Sequence, residues 1–191
     1  MALTASEVRV AITGELYVAP EGTAGPTTSE SSLPADWTGL GFVSEDGVTE
    51  AYDESQENIV AWQSGTTVRN ITSESSATLQ MTLIQTNSAT LGLYHKGSTV
   101  VSDGSTGWRM NVLSPTPDIR SFVFDVIDGT DHIRIWVPRG EVTERGEISY
   151  VSGDAVGYDV TITAYPTDLG GGDVGPLVKF SNSPSWGDSA S

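Results

Sequence analysis

Ser73-Glu-Ser-Ser-Ala-Thr-Leu-Gln-Met-Thr-Leu-Ile-Gln-Thr-Asn-Ser-Ala-Thr-Leu-Gly-Leu-Tyr-His-Lys-Gly97 runs through two periodicities in succession. Ala77, Leu79, Met81 and Leu83 alternate with Thr78, Gln80 and Thr82, the period of two that marks a strand with one dry face. Ile84 breaks the alternation, as a strand end entering a core would. Asn87 and Ser88 follow, either of which can cap a helix by accepting an orphan N–H. Leu91, Leu93 and Tyr94 then supply a short apolar stripe, and Gly97 is placed to stop it. One long amphipathic strand feeding one short helix is therefore expected, and no second helix is signalled elsewhere.

Outward from that stretch, the chain reads as further strands. Val8, Val10 and Ile12 alternate, and Leu16-Tyr-Val18 continues the pattern past Gly14, predicting a first strand with a bulge at the glycine. Residues 21–34 are rich in Gly, Thr, Ser and Pro and read as a loop. A second strand region spans 37–48, with Asp46-Gly47 as a turn or bulge signal. Residues 49–58 hold Glu50, Asp53, Glu54 and Glu57 with only Ala51 and Tyr52 as apolar company, and read as an acidic, solvated loop. A strand or hairpin around Gly65-Thr66 is expected next, anchored by Trp62, Val68 and Ile71.

The second half gives a modest strand at 108–113 and the clearest hairpin of the chain at 119–138. There Phe122, Phe124 and Val126 alternate on one arm, and Ile133, Ile135 and Val137 on the other, around Asp128-Gly-Thr-Asp131. His132, Arg134 and Trp136 fall on the opposite face of the second arm. Further strands are expected at 141–150 and 155–165. From Pro166 the composition shifts to Gly, Pro, Ser and Asp, with Phe180 and Trp186 lacking periodic partners. Such a tail cannot fold alone; it is either mobile or pinned by these aromatics. The organisation expected is one β domain over 1–168 and an arm over 169–191.

Composition narrows the function. The 191 residues include 21 glycines and 9 prolines, which suits a turn-rich β protein. With no cysteine there is no disulfide framework, zinc-thiolate site or thiol nucleophile. The first residues lack a basic and an apolar signal region, and no run is long enough to span a bilayer, so folding in a cytoplasm is expected. The formal net charge is −16, and before Arg69 the only base is Arg9. That argues against adhesive nucleic-acid binding, which needs Lys and Arg on phosphates.

Catalytic signals are thin. His95 and His132 lie in different elements, Asp131 beside His132 is explained by a hairpin turn, and no nucleophile elbow, P-loop or dinucleotide fingerprint occurs. A carboxylate pair for a hydrolase can be nominated from any protein with 25 acids and so carries no information. Asn70-Ile-Thr72 matches a glycosylation acceptor by chance. An acidic β-sandwich binding module, stacking a sugar on Trp108 or Trp136, is the alternative class.

The chain resembles the major tail tube proteins of long-tailed bacteriophages, particularly those of actinobacteria, up to about residue 168. The resemblance rests on Gly14-Glu-Leu-Tyr-Val-Ala-Pro20 with Gly22-Thr23, on Trp37 followed by Leu40-Gly-Phe-Val-Ser-Glu-Asp-Gly47, and on 77–93. It continues through Arg134-Ile-Trp-Val-Pro-Arg139, Glu147-Ile-Ser-Tyr150 and Tyr158-Asp-Val-Thr-Ile-Thr-Ala-Tyr165. The family often has a glutamate where this chain has Gln85, so one charge is missing here.

The resemblance implies a mainly β fold, a tail-tube-type β-sandwich or partial barrel with one short α-helix. It implies homo-hexameric rings whose strands join in an inner β-barrel, stacked into a tube that conducts genomic DNA without specific binding. It implies no catalytic or metal residues, no cofactor, and as partners a tape measure protein, a tail terminator and distal tail proteins. It also implies a virion tail location after assembly in the host cytoplasm. On this reading Glu45, Asp46 and Glu50 are candidates to face the lumen. Tyr52, Asp53, Glu54 and Glu57 are candidates for a ring-to-ring loop, and Phe180 and Trp186 for anchors of the C-terminal arm.

Overall fold

The computed structural model describes residues 7–104 and 106–186, and of residues 54–57 and 70–75 the backbone alone. Along the chain come β1 (Thr13–Pro20), β2 (Thr38–Gly39), β3 (Val43–Val60), β4 (Thr67–Leu83), helix α1 (Ser88–Tyr94), β5 (Val100–Ser102) and β6 (Trp108–Met110). There follow β7 (Ile119–Asp128), β8 (Asp131–Arg145), β9 (Tyr158–Ala164), β10 (Thr167–Gly170), β11 (Asp173–Gly175) and β12 (Val178–Ser181). Among the described residues, one antiparallel sheet of eight strands has the order β2-β1-β7-β8-β9-β4-β3, with β12 on β8.

The two ends of that order are one piece of chain. Residues 38–40 bond β1, the Leu40 N–H donating to the Leu16 carbonyl, and Phe42 and Val43 bond the end of β4, where the Ile84 N–H donates to Phe42. The sheet thus curls round on itself into a partial barrel. Its inner face gathers Leu16, Val18, Leu79, Met81, Leu83, Phe122, Phe124, Val137, Val142, Val160 and Ile162 in a single buried cluster. Each such side chain contributes about 1.5–3 kcal/mol by leaving water. Helix α1 lies at the end where β4 stops and β9 begins. Asn87 Oδ1 accepts from the Thr90 N–H at 2.8 Å, capping the helix as its position predicted. Leu93 and Tyr94 are buried, and Gly97 follows with φ +78.

Several sequence expectations are corrected. The first strand begins at Thr13, and residues 8–12 precede it outside any strand, tied by Ile12 N–H to the Ile127 carbonyl, by Val10 N–H to Asp128 Oδ2 and by Arg9 to Asp131 and Ser183. Val8, Val10 and Ile12 remain exposed. The register of β1 on β7 is unbroken at Gly14, so no bulge forms there; a Cβ at that position would meet the Asp125 carbonyl oxygen at 2.4 Å. The second strand region divides into β2 and the start of β3. Residues 49–58 are no loop. They belong to the 18-residue β3, paired throughout with β4, because ladder hydrogen bonds use the backbone and tolerate polar side chains.

The strand expected at 141–150 is instead the continuation of β8 past Pro138 to Arg145, and 147–150 is not strand. A register shift between Arg120 and Phe122 accommodates the proline, and the Ser121 hydroxyl donates to its carbonyl at 2.6 Å. The strand expected at 108–113 is shorter, ending at Met110, and that at 155–165 narrows to Tyr158–Ala164. The C-terminal arm returns to the body. β10 and β11 form a small hairpin, and β12 pairs residues 178–181 with 136–133 of β8.

Candidate assembly surface

β9 supports β4 only from Ala77 to Leu83. Beyond Ala77, β4 and β3 pair with each other alone, so residues 52–60 and 67–77 form a two-stranded arm leaving the barrel. Its tip is a turn in which the Ala61 N–H donates to Thr66 and the Gly65 N–H to Ala61. The hairpin around Gly65 is therefore present, but its expected anchors are not anchors: Trp62 is 95% exposed and Val68 63%. Ile71 lies among the residues of which only the backbone is described. A two-stranded ribbon is at best marginally stable in water, and Ile59, Val60, Trp62 and Val68 stand exposed at its outer end.

Directly paired residues share a face. At the root of the arm, Val48, Glu50 and Tyr52 share the inner face with Met81, Leu79 and Ala77. Glu50 Oε2 sits 2.8 Å from Lys179 Nζ of β12, the Tyr52 hydroxyl donates to the Glu50 carboxylate, and Lys179 lies 5.9 Å from the Tyr52 ring centre. Burial first, and then the hydrogen bond to Glu50, push the Tyr52 hydroxyl up to about 12. Glu50 is thus committed within its own chain.

The opposite face carries Thr49 and Asp53 on β3, Thr78 and Gln80 on β4, Asp159, Thr161 and Thr163 on β9, and Glu144 on β8. It is a threonine-rich polar surface that also takes in Glu141, paired with Thr163, where Lys96 Nζ sits 2.6 Å from the carboxylate. The Gln80 amide leans to Asp159 at 3.5 Å, and the Thr143 and Thr163 hydroxyls meet at 2.7 Å. Asp159 and Glu144 were not singled out from sequence. The alternation of Tyr158 to Thr163 places Asp159 on the polar face, but strand order decides which faces merge.

Glu45 and Asp46 sit exposed on the bulged start of β3, where the register jumps from Val43 to Val48 and Gly47 takes φ +70. Asp53 is exposed on the arm. The side chains of Glu54 and Glu57, and of Asn70 and Thr72, lie outside the described residues. Phe180 is half-buried in β12 opposite Arg134, and Trp186 is half-exposed in a 3-10 turn, Pro184–Trp186. Asp131 pairs with Arg9 at 2.8 Å, and the His132 backbone N–H donates to Asn182 Oδ1. Trp136 lies half-buried beneath Gly25, while Trp108 is 73% exposed on β6.

The outer face of β1, β7 and β8 carries a cleft of about 770 Å³ bounded by Glu15, Tyr17, Glu30, Trp37 and His132. Its floor is the buried pair of Arg134 and Asp125, joined by two hydrogen bonds of 2.6 and 2.7 Å. The same guanidinium donates to the Ser31 carbonyl at 2.6 Å, which ties the 21–37 loop to the sheet. The hydrogen bond to Asp125 raises the Arg134 pKa further. Glu15 accepts from the Tyr17 hydroxyl, and that bond, with burial, pushes the hydroxyl up to about 12. Sequence reading missed this pair, although counting outward from the Gly129-Thr130 turn sets Asp125 directly opposite Arg134.

A family model described as "Phage tail tube protein" matches residues 1–179. No curated protein matches the chain. Among solved structures, a chain of the cryo-EM structure of the anti-feeding prophage baseplate, 6-fold symmetrised, is similar at a TM-score of 0.35 and 10% identity, over 94% of this chain and 97% of that one. Likeness at that level carries no argument.

Proposed function

From the premise that this chain belongs to the phage tail tube protein family, a family of structural, non-enzymatic components of the virion tail, we propose that six copies close into a ring and that rings stack into a tube. Genomic DNA passes down the bore during ejection. The observation that carries this reading is the arm of β3 and β4, to which no third strand is added beyond Ala77 among the described residues and which has an exposed Trp62 at its tip. Its edges and apolar groups are completed by neighbouring copies. The acidic face with Asp53, Glu144 and Asp159, where Lys96 is held by Glu141, supports a bore that repels the duplex, since adhesion to phosphates needs unpaired Lys or Arg. Within the assembly, a tape measure protein occupies the bore during growth, and a tail terminator and distal tail proteins complete the two ends.

The test is to replace residues 55–74 by an Asn-Gly turn, which joins Glu54 and Ser75 where they already pair. The barrel keeps its core, so the shortened subunit melts cooperatively and stays monomeric. Wild-type protein gives rings or tubes with a central channel by negative-stain microscopy. Tubes of normal length from the shortened chain would remove the arm from assembly.

A further inference from the structure

Six of the nine Lys and Arg side chains reach a carboxylate of their own chain: Arg9, Lys96, Arg120, Arg134, Arg139 and Lys179. Arg145 donates to the Tyr94 carbonyl at 3.1 Å. That leaves Arg69 and Arg109 without an acidic partner among the described residues, in a chain with 25 acids. Both sit on two-stranded protrusions that also present an exposed tryptophan, Trp62 on the arm and Trp108 on the small sheet of β5 and β6. The β5–β6 pair belongs to no larger sheet, and Val101 opposite Arg109 is also exposed. It is too small to stand in water on its own account.

The complement lies on the same molecule. The cleft over Arg134 has two exposed rim carboxylates, Glu15 and Glu30, with no Lys or Arg paired to either, and aromatic walls from Tyr17 and Trp37. The groove beside Val18–Pro20 offers nothing comparable, because its acids are taken: Glu21 by Arg139 and Asp118 by Arg120. We propose that the β5–β6 hairpin of one copy docks in this cleft of a second copy, Trp108 against the aromatic wall and Arg109 against Glu15 and Glu30. This contact rests on the reading of the chain as a self-assembling tube subunit. It is separate from the arm and uses charge to set which faces meet. An indole and a guanidinium fit within about 770 Å³.

The absence of cysteine from the chain makes the test direct. Arg109→Cys and Glu30→Cys proteins are assembled together and treated with a short bis-maleimide. A cross-linked dimer from the mixture, and from neither protein alone, is the expected result. In parallel, Arg109→Glu lowers the fraction sedimenting as tubes roughly tenfold or more, because like charges then meet across the contact. Adding Glu15→Arg and Glu30→Arg to that chain restores assembly, while the melting temperature of each variant reports that the subunit is folded. Wild-type tubes accompanied by unchanged Arg109→Glu tubes, or by no cross-linked dimer, overturn the contact alone. Wild-type protein that never assembles overturns the tube reading as well, so the two failures are told apart.

Discussion

Arg134 and Asp125 face one another across the β7–β8 ladder, both buried, and their worth lies in mutual dependence. Replacing Arg134 by Ala leaves a buried carboxylate without its cation and frees the Ser31 carbonyl, so the subunit loses about 3–5 kcal/mol, read as a fall in the urea midpoint. A loss below about 1 kcal/mol would show that water re-solvates Asp125 freely. Two other groups govern the response to acid. Burial, and then the nearby Arg145, hold the His95 imidazolium below its usual 6.5, and the Lys96 hydrogen bond holds Glu141 below its usual 4.5. In both cases the folded pKa is lower than the unfolded one, so the native state binds fewer protons and stability is lost as pH falls. The loss begins below 6.5 through His95 and deepens below 4.5 through Glu141. Melting temperatures therefore decline from about pH 7 to about pH 5 in the native protein. His95→Gln flattens that interval and leaves the steeper drop at lower pH; an unchanged slope would contradict the assignment.

At the scale of elements, α1 depends on its first residue more than on its length. Seven residues are too few to persist alone. Asn87 both caps the helix and, through Nδ2, donates to the Leu40 carbonyl at 3.2 Å, which Thr90 Oγ1 also bonds at 3.0 Å. The helix is thereby fastened to the short segment that closes the barrel. Asn87→Ala is expected to cost about 1 kcal/mol or somewhat more in chemical denaturation, and Asn87→Asp to keep the cap while losing the donor. Gln85 takes part in the same closure, its Oε1 accepting from the Phe42 N–H at 3.3 Å. A neutral side chain suffices for that role. The arm shows the opposite economy. Its strands are long, but beyond Ala77 no third strand pairs with them among the described residues.

For the whole molecule, the net charge of −16 has its clearest consequence in what it prevents. Subunits and tubes alike are expected to leave duplex DNA unretarded in gels at low salt, where any phosphate-binding patch would act most strongly. A retarded band that vanishes with added salt would reveal a basic surface in the assembly. The barrel core, the β7–β8 hairpin and α1 were legible in the chain because each buries one face, and one-sided burial writes a period into the sequence. Residues 49–58 read as loop for the converse reason: their inner-face Glu50 and Tyr52 are covered by Lys179 and not by an apolar layer, so no hydrophobic period marks the strand and its ladder hydrogen bonds alone distinguish it. Composition alone established an acidic, cysteine-free, turn-rich β chain, since those properties add residue by residue. Tertiary structure alone decided that residues 38–43 close the barrel, that Lys179 occupies Glu50, and that Asp53, Glu144 and Asp159 share one face. Those facts depend on which strands lie side by side, and contacts between distant positions, 129 residues apart for Glu50 and Lys179, leave no local trace.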